Sequence, residues 1–116
     1  MLIRGGDNMT RLVIGKKKFE KLVEKYYKEV EDFIGTATAL SKVDSDNWHQ
    51  PLFKINGYIE MAGSNFSIER SANEGTLKEI INYYYEGVEN ITFNLKEGVF
   101  DNVVINIKGK VKKKWK

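Results

Sequence analysis

The chain has 116 residues, no cysteine and one histidine, with 41% hydrophobic and 30% charged residues. This composition predicts one globular domain over residues 1–116, and it excludes disulfides, thiolate metal sites and a cysteine nucleophile. Residues 1–28 hold eight basic and three acidic residues, residues 29–107 hold five and thirteen, and residues 108–116 hold six lysines and no acid.

The amino terminus shows no targeting signal. Its sequence, MLIRGGDNM, lacks the apolar segment of a signal peptide, and no apolar run in the chain approaches the roughly 18 residues of a membrane span. These features predict a cytoplasmic protein with no membrane partner. Met9 is a second candidate start, so residues 1–9 are either a native segment, expected to be disordered, or a non-native extension.

The first predicted elements are a short strand and a long helix. Arg11–Ile14 favours a strand, which Gly15 ends. The apolar residues that follow recur at spacings of three and four, and this predicts one helix of about five turns that stops at Gly35. That apolar stripe consists of Phe19, Leu22, Val23, Tyr26, Val30, Phe33 and Ile34.

Three lysines begin this helix. Lys16, Lys17 and Lys18 lie where the helix dipole is already positive, and Glu29 and Asp32 lie near the opposite end. One interpretation is a solvated surface, on which salt screens the unfavourable interaction of these charges with the helix dipole. A second is an anion-binding site made by the lysines and the free N–H groups of the helix. A third is pairing with the acidic middle of the chain.

Residues 36–50 favour no single structure. They can extend the helix after a kink or form a loop, and Pro51 closes the segment. Asp44, Asp46 and His49 lie there, but one histidine without cysteine, and without calcium-loop spacing, favours a polar loop over a metal site. The sequence therefore predicts no metal and no cofactor.

Leu52–Met61 alternates between apolar and polar residues and predicts one long strand. A hairpin turn at Asn56-Gly57 is the alternative, but it would mix the two faces. In the long-strand interpretation Gly57 marks a bulge or bend, and the turn lies at residues 62–65. Met61 is then expected opposite Phe66, and Ile59 opposite Ile68.

A second helix is predicted from Glu74 to Gly87. Thr76 and Glu79 have the spacing of a capping box at its start. One side of this helix is apolar and is expected in the core: Leu77, Ile80, Ile81 and Tyr84. Tyr83 and Tyr85 flank Tyr84 and are candidates for an interface or stacking surface.

The last predicted elements form a hairpin. Ile91, Phe93 and Leu95 alternate along a strand from Glu89 to Lys96. A three-residue turn at 96–98, with Gly98 left-handed, would pair Leu95 with Val99 and Ile91 with Val103. Asp101 then interrupts the apolar face, so a bulge is expected there.

The terminal segment from Asp101 to Lys116 continues the alternation. Val103, Ile105 and Ile107 are expected in the core, with Val111 and Trp115 on the same side. Residues 112–116 are either strand or a frayed tail, because Lys113 interrupts the apolar side. The other side of the strand consists of lysines: Lys108, Lys110, Lys112, Lys114 and Lys116.

Together the predicted elements make an α+β two-layer sandwich. Helix, hairpin, helix and hairpin follow one another, which suggests one antiparallel sheet of four or five strands with two amphipathic helices on one face. No phosphate loop, dinucleotide fingerprint or nucleophile–His–acid set is present, so no enzyme activity is predicted.

The lysine side of the terminal segment carries the functional prediction. The leading hypothesis is binding of nucleic acid or another polyanion by these lysines, with Trp115 stacking and Lys16–Lys18 contributing. A solvated strand end that protects a sheet edge is the simpler interpretation. A third interpretation is docking of these lysines onto an acidic protein, or onto a second copy of the chain in a homodimer. The alternatives to nucleic acid are therefore a protein-binding accessory or inhibitor of the phage or mobile-element type, and a small-nucleotide-binding protein.

Overall fold

The computed structural model describes residues 9–40, 51–61 and 63–111. Two helices and six strands follow the order β1 (Met9–Gly15), α1 (Lys16–Glu31), β2 (Ile34–Ala39), β3 (Phe53–Met61), β4 (Ser64–Ala72), α2 (Glu74–Tyr84), β5 (Val88–Lys96) and β6 (Val99–Lys108). The α+β class and the two helices are confirmed. The prediction of a single sheet is wrong, because the described strands form two antiparallel sheets of three strands each.

The first sheet has the strand order β1–β6–β5, with β6 in the middle. The bulge expected at Asp101 is confirmed, because Asn94 pairs with Asn102 and Leu95 pairs with Phe100, which leaves Asp101 between the two pairs. The predicted pairing of Leu95 with Val99 is wrong. Lys96 pairs with Val99 across a two-residue turn, in which Glu97 and Gly98 have φ of 53° and 80°.

The shorter turn and the bulge at Asp101 together shift the pairing farther along the hairpin by two residues. Phe93 lies opposite Val103 and Ile91 lies opposite Ile105, whereas Ile91 was expected opposite Val103. The alternation itself survives this shift, because Val103, Ile105 and Ile107 are all buried. The hydrophobic pattern thus predicted the inner face of β6 correctly, although the turn and the bulge together set the register.

The second sheet has the strand order β2–β3–β4. Its first strand, β2, replaces the predicted end of the helix. Asp32 adopts the left-handed conformation with φ of 56°, and the N–H of Phe33 donates to the carbonyl of Tyr27 at 3.0 Å. Aspartate tolerates this conformation better than most residues, so α1 stops before Gly35 and Ile34 begins a strand.

The long-strand interpretation of β3 is confirmed. Its turn is shorter than expected, so Ile59 lies opposite Phe66 and Gly57 lies opposite Ile68. The pairing on both sides of Gly57 is continuous, so there is no bulge there. Gly57 faces Gly35 instead, and a Cβ on Gly57 would lie 2.2 Å from the carbonyl oxygen of Ile34. This glycine pair therefore permits a close backbone approach of β2 and β3.

Helix α2 begins one turn earlier than a capping box at Thr76 would require. Asn73 is the N-cap, and its Oδ1 accepts from the N–H of Thr76 at 3.0 Å. The capping box of Thr76 with Glu79 is therefore wrong. The predicted core residues of α2, which are Leu77, Ile80, Ile81 and Tyr84, are all buried.

One hydrophobic core lies between the two sheets and the helices. Its centre is a set of four rings that we call the aromatic junction: Phe19 of α1, Phe53 of β3, Phe93 of β5 and Phe100 of β6. Phe19 lies 5.3 Å from Phe53 and 5.5 Å from Phe100, measured between ring centroids. Helix α1 thereby joins the two sheets. Within the described ranges, no helix has the length and apolar character needed to cross a bilayer.

Candidate functional site

Within the described part of the chain, Lys108 is the one terminal lysine that lies in a strand. Lys108 is the last residue of β6 and is exposed. Gly109 follows with φ of 83°, which is left-handed, so the alternation ends there and Lys110 lies outside the strand. The other residues of this prediction lie outside the described part of the chain: Lys112, Lys114, Trp115 and Lys116.

The position of β6 also corrects the edge interpretation. This strand pairs with β1 on one side and β5 on the other, so Lys108 at its end does not lie on a free sheet edge. Asn102, Val104 and Asn106 lie on its outward side and are partly exposed. The outward face of β6 is therefore polar, with its positive charge confined to the carboxyl end.

Lys16, Lys17 and Lys18 form the first turn of α1 and are exposed. They lie far from Lys108, because β1 runs between them. Gly15, just before Lys16, pairs with Asn102, whereas Met9 pairs with Lys108. Six residues of strand, or about 20 Å, therefore separate the start of α1 from Lys108.

A larger basic surface runs along α1, and the sequence reasoning missed it. At about 100° per residue, five lysines fall within an arc of about 100°, and no other residue of α1 falls in that arc. We call this surface the lysine stripe; it consists of Lys17, Lys18, Lys21, Lys25 and Lys28. It extends about 16 Å along the helix axis. The signal was present in the sequence as a second, basic periodicity beside the apolar one.

The acidic residues of α1 are mostly held by other parts of the protein. Glu20 accepts from the N–H of Ala39 at 2.9 Å, and Glu31 pairs with Arg70 of β4. Glu29 accepts from the hydroxyl of Tyr84 at 2.8 Å. These contacts engage three of the four glutamates of α1, and the fourth, Glu24, lies just outside the arc of the lysine stripe.

Glu29 also forms the one ion pair that the stripe makes with a described residue. The ammonium of Lys25 lies 3.0 Å from its second oxygen. The hydrogen bond from Tyr84 and the pair with Lys25 together lower the pKa of Glu29. Burial and the same hydrogen bond raise the pKa of Tyr84. The hydrogen bond between Tyr84 and Glu29 therefore pairs a neutral tyrosine with a charged glutamate, and it links the ends of α1 and α2.

A groove with an apolar floor lies beside the stripe. Its volume is about 180 Å³. Ile14 of β1, Leu22 of α1 and Tyr85 form the floor, and all three are buried. Three lysines of the stripe line the groove above this floor: Lys18, Lys21 and Lys25. Such an arrangement offers positive charge beside a small apolar surface.

The two candidate interface tyrosines have different positions. Tyr83 is 49% exposed, as a surface role requires. Tyr85 is only 3% exposed, and burial raises the pKa of its hydroxyl. Tyr85 therefore offers little outer surface and instead belongs to the floor of the lysine-lined groove.

The described residues contain no group of three or more histidine, aspartate or glutamate side chains placed to hold a metal ion. Asp44, Asp46 and His49 lie outside that part of the chain.

No family model matches the chain, and neither a curated protein nor a solved structure matches it.

Proposed function

We propose that this chain is a small, non-catalytic binding protein that holds a polyanion, most simply nucleic acid, along the lysine stripe of α1. The observation that carries the proposal is the segregation of charge on this helix. Five lysines occupy one arc of about 100° on α1, while Glu20, Glu29 and Glu31 are engaged within the protein. An exposed row of like charges gains most from a ligand that carries a row of opposite charges.

Binding would proceed through phosphate contacts and counterion release, with little sequence readout. The groove beside Lys18, Lys21 and Lys25 adds an apolar surface against which a sugar or base edge can pack. Lys108 and Lys110 are exposed and can add charge, and Lys112–Lys116 with Trp115 remain a hypothesis from the sequence. The stripe is thus the centre of the proposed site, and Lys108 and Lys110 are separate, additional positive charges.

The groove does not favour the small-nucleotide alternative. Its volume of about 180 Å³ is below the roughly 300–1,000 Å³ typical of pockets that enclose a small ligand. A chain of phosphates lying across the stripe needs no such enclosure. We therefore place the polyanion ahead of a free nucleotide.

The test is a fluorescence anisotropy titration of labelled duplex and single-stranded DNA at several salt concentrations. Five phosphate contacts predict a slope of log K against log salt near −4.5 for duplex DNA. The triple variant Lys18→Gln, Lys21→Gln and Lys25→Gln should reduce the slope by about three units and weaken binding about 100-fold near physiological salt. Glutamine retains helix propensity, so α1 should persist.

A matched control removes three lysines elsewhere. Lys54, Lys78 and Lys96 lie on β3, α2 and β5, and replacing all three by glutamine changes the net charge equally. The proposal expects this control to bind within a few-fold of the parent. Equal losses in both triple variants would show that only net charge matters and would overturn the stripe as a site.

A protein partner is the second candidate, and one surface supports it. Ile34 is 62% exposed and Tyr58 is 60% exposed, and the two residues lie opposite one another on β2 and β3. A paired aliphatic and aromatic side chain on an outer sheet face is typical of a contact surface. A partner recovered after nuclease treatment should be lost with Ile34→Ser and Tyr58→Ser but retained with the lysine triple variant. The opposite pattern would reject this surface.

A further inference from the structure

Helices α1 and α2 form an open groove that the polyanion proposal does not use. Its volume is about 600 Å³, and Tyr26, Glu79, Asn82 and Tyr83 line it. We call it the tyrosine groove. The rings of Tyr26 and Tyr83 stand almost perpendicular, at 84°, with centroids 5.4 Å apart. The groove therefore combines two aromatic walls with one carboxylate.

The electrostatic character of this groove is negative. Burial is the main cause that raises the pKa of Tyr26, and the carboxylates of Glu79 and Glu31 raise it further. The faces of tyrosine rings carry partial negative charge, and this adds to the effect of the carboxylates. A cation would therefore gain from both the rings and Glu79, whereas the lysine stripe on the same helix favours anions.

The geometry points to an organic cation, an ammonium or guanidinium group, as the ligand of the tyrosine groove. The cation would lie over the exposed face of Tyr83, and Glu79 would act as its counter-ion. A hard metal ion fits less well, because one carboxylate and two phenol rings supply too few oxygen ligands. A large, weakly hydrated cation loses less hydration and gains more from an aromatic face.

This site is independent of the polyanion proposal. Tyr26 is the α1 residue that contributes to the groove, and it lies away from the arc of the lysine stripe. The same cation chemistry can come from an arginine or lysine side chain of a protein, or from a free quaternary ammonium compound. Loss of one site should therefore leave the other intact.

The test is an NMR titration of the full chain with tetramethylammonium chloride and with N-acetyl-arginine amide, with sodium chloride at equal ionic strength as the blank. The ring protons of Tyr26 and Tyr83 should shift and saturate with either cation. Glu79→Gln should weaken the binding about threefold, and Tyr83→Leu should weaken it about three- to fivefold. Tyr83→Phe should bind within about twofold of the parent, because the ring face is retained.

The control is Tyr58→Leu, which removes a tyrosine of β3 that is more exposed than Tyr83 and should leave the titration unchanged. A peptide bearing one arginine separates the two sources. Tighter binding of the peptide than of tetramethylammonium supports a side chain of a protein, and the reverse order supports a small quaternary ammonium compound. Shifts that do not saturate, or equal affinity in the parent, Glu79→Gln and Tyr83→Leu, would overturn the site. Retained DNA binding by Glu79→Gln would show that the two sites are separate.

Discussion

The two sheets present different inner faces to helix α1. The first sheet presents the large aliphatic residues of β6, such as Val103 and Ile105. The second presents Phe53 and Ile55 together with Ala37 and the paired glycines of β2 and β3, beside which Glu20 reaches the backbone of Ala39. Both sheets thus bury large side chains, and the second depends in addition on a close backbone approach of β2 and β3. Both sheets should therefore lose stability when buried atoms are removed, and the second should also be sensitive to atoms added at its paired glycines.

The largest expected effect comes from the ring that contacts both sheets. Phe19 packs against Phe53 of the second sheet and Phe100 of the first. Phe19→Ala should lower the free energy of unfolding by about 3–5 kcal/mol, measured by urea denaturation. Phe66 is the control, because its ring is half exposed near the start of β4. If Phe66→Ala costs as much as Phe19→Ala, the aromatic junction does not join the sheets.

The second-largest loss of stability is expected from a substitution in the second sheet. In Gly57→Ala the new Cβ would meet the carbonyl oxygen of Ile34 at 2.2 Å, so β2 and β3 must separate. We expect a loss of about 1–3 kcal/mol, with faster amide exchange in β2 than in β6. Gly15→Ala is the control, because nothing lies within 4 Å of its Cβ position, and it should cost about 0.5 kcal/mol. Equal losses would contradict the close-approach account of this sheet.

Sequence patterns predicted the local features of both sheets. Alternation identified β3 and the inner face of β6, and the interrupted pattern at Asp101 located the bulge. These features depend on neighbours in the sequence. The division of six strands into two sheets depends on partners far apart in the chain, such as β1 with β6, and no local pattern specifies such a pairing.

The candidate sites were predicted only in part, for the same reason. The lysine stripe could have been found by testing the lysines of α1 for helical periodicity. Its groove could not, because Ile14 and Tyr85 come from other elements. The end of α1 was predicted at Gly35, because glycine is the usual left-handed residue after a helix, but Asp32 adopts that conformation. The tyrosine groove likewise depends on the packing of α1 against α2.

A third effect depends on pH and on the contact between the two helices. The folded protein raises the pKa of Tyr84 by burial and by its hydrogen bond to Glu29. The unfolded chain loses this proton from about pH 10. The folded state then binds more protons than the unfolded state, so stability should fall as pH rises above 10. The contribution of Tyr84 is at most about 1.4 kcal/mol per pH unit.

Tyr84→Phe isolates this contribution, because lysine titration is shared by both proteins. Urea denaturation between pH 8 and about pH 11 should show a shallower alkaline decline in the variant than in the parent. Helix α2 lies between β4 and β5 in the chain and so connects the two sheets. Identical slopes would mean that the Tyr84–Glu29 contact does not hold this connection in place.

The smallest expected loss of stability comes from the N-cap of helix α2. Asn73 caps α2 by accepting from the N–H of Thr76 at 3.0 Å and from its hydroxyl at 3.3 Å. Asn73→Ala should cost about 1 kcal/mol, and Asn73→Asp should restore stability, because aspartate keeps the acceptor and favours a helix N-terminus. Since the cap is exposed, its loss should be well below that of Phe19→Ala. A loss as large as that of Phe19→Ala would mean that α2, rather than the aromatic junction, holds the two sheets together.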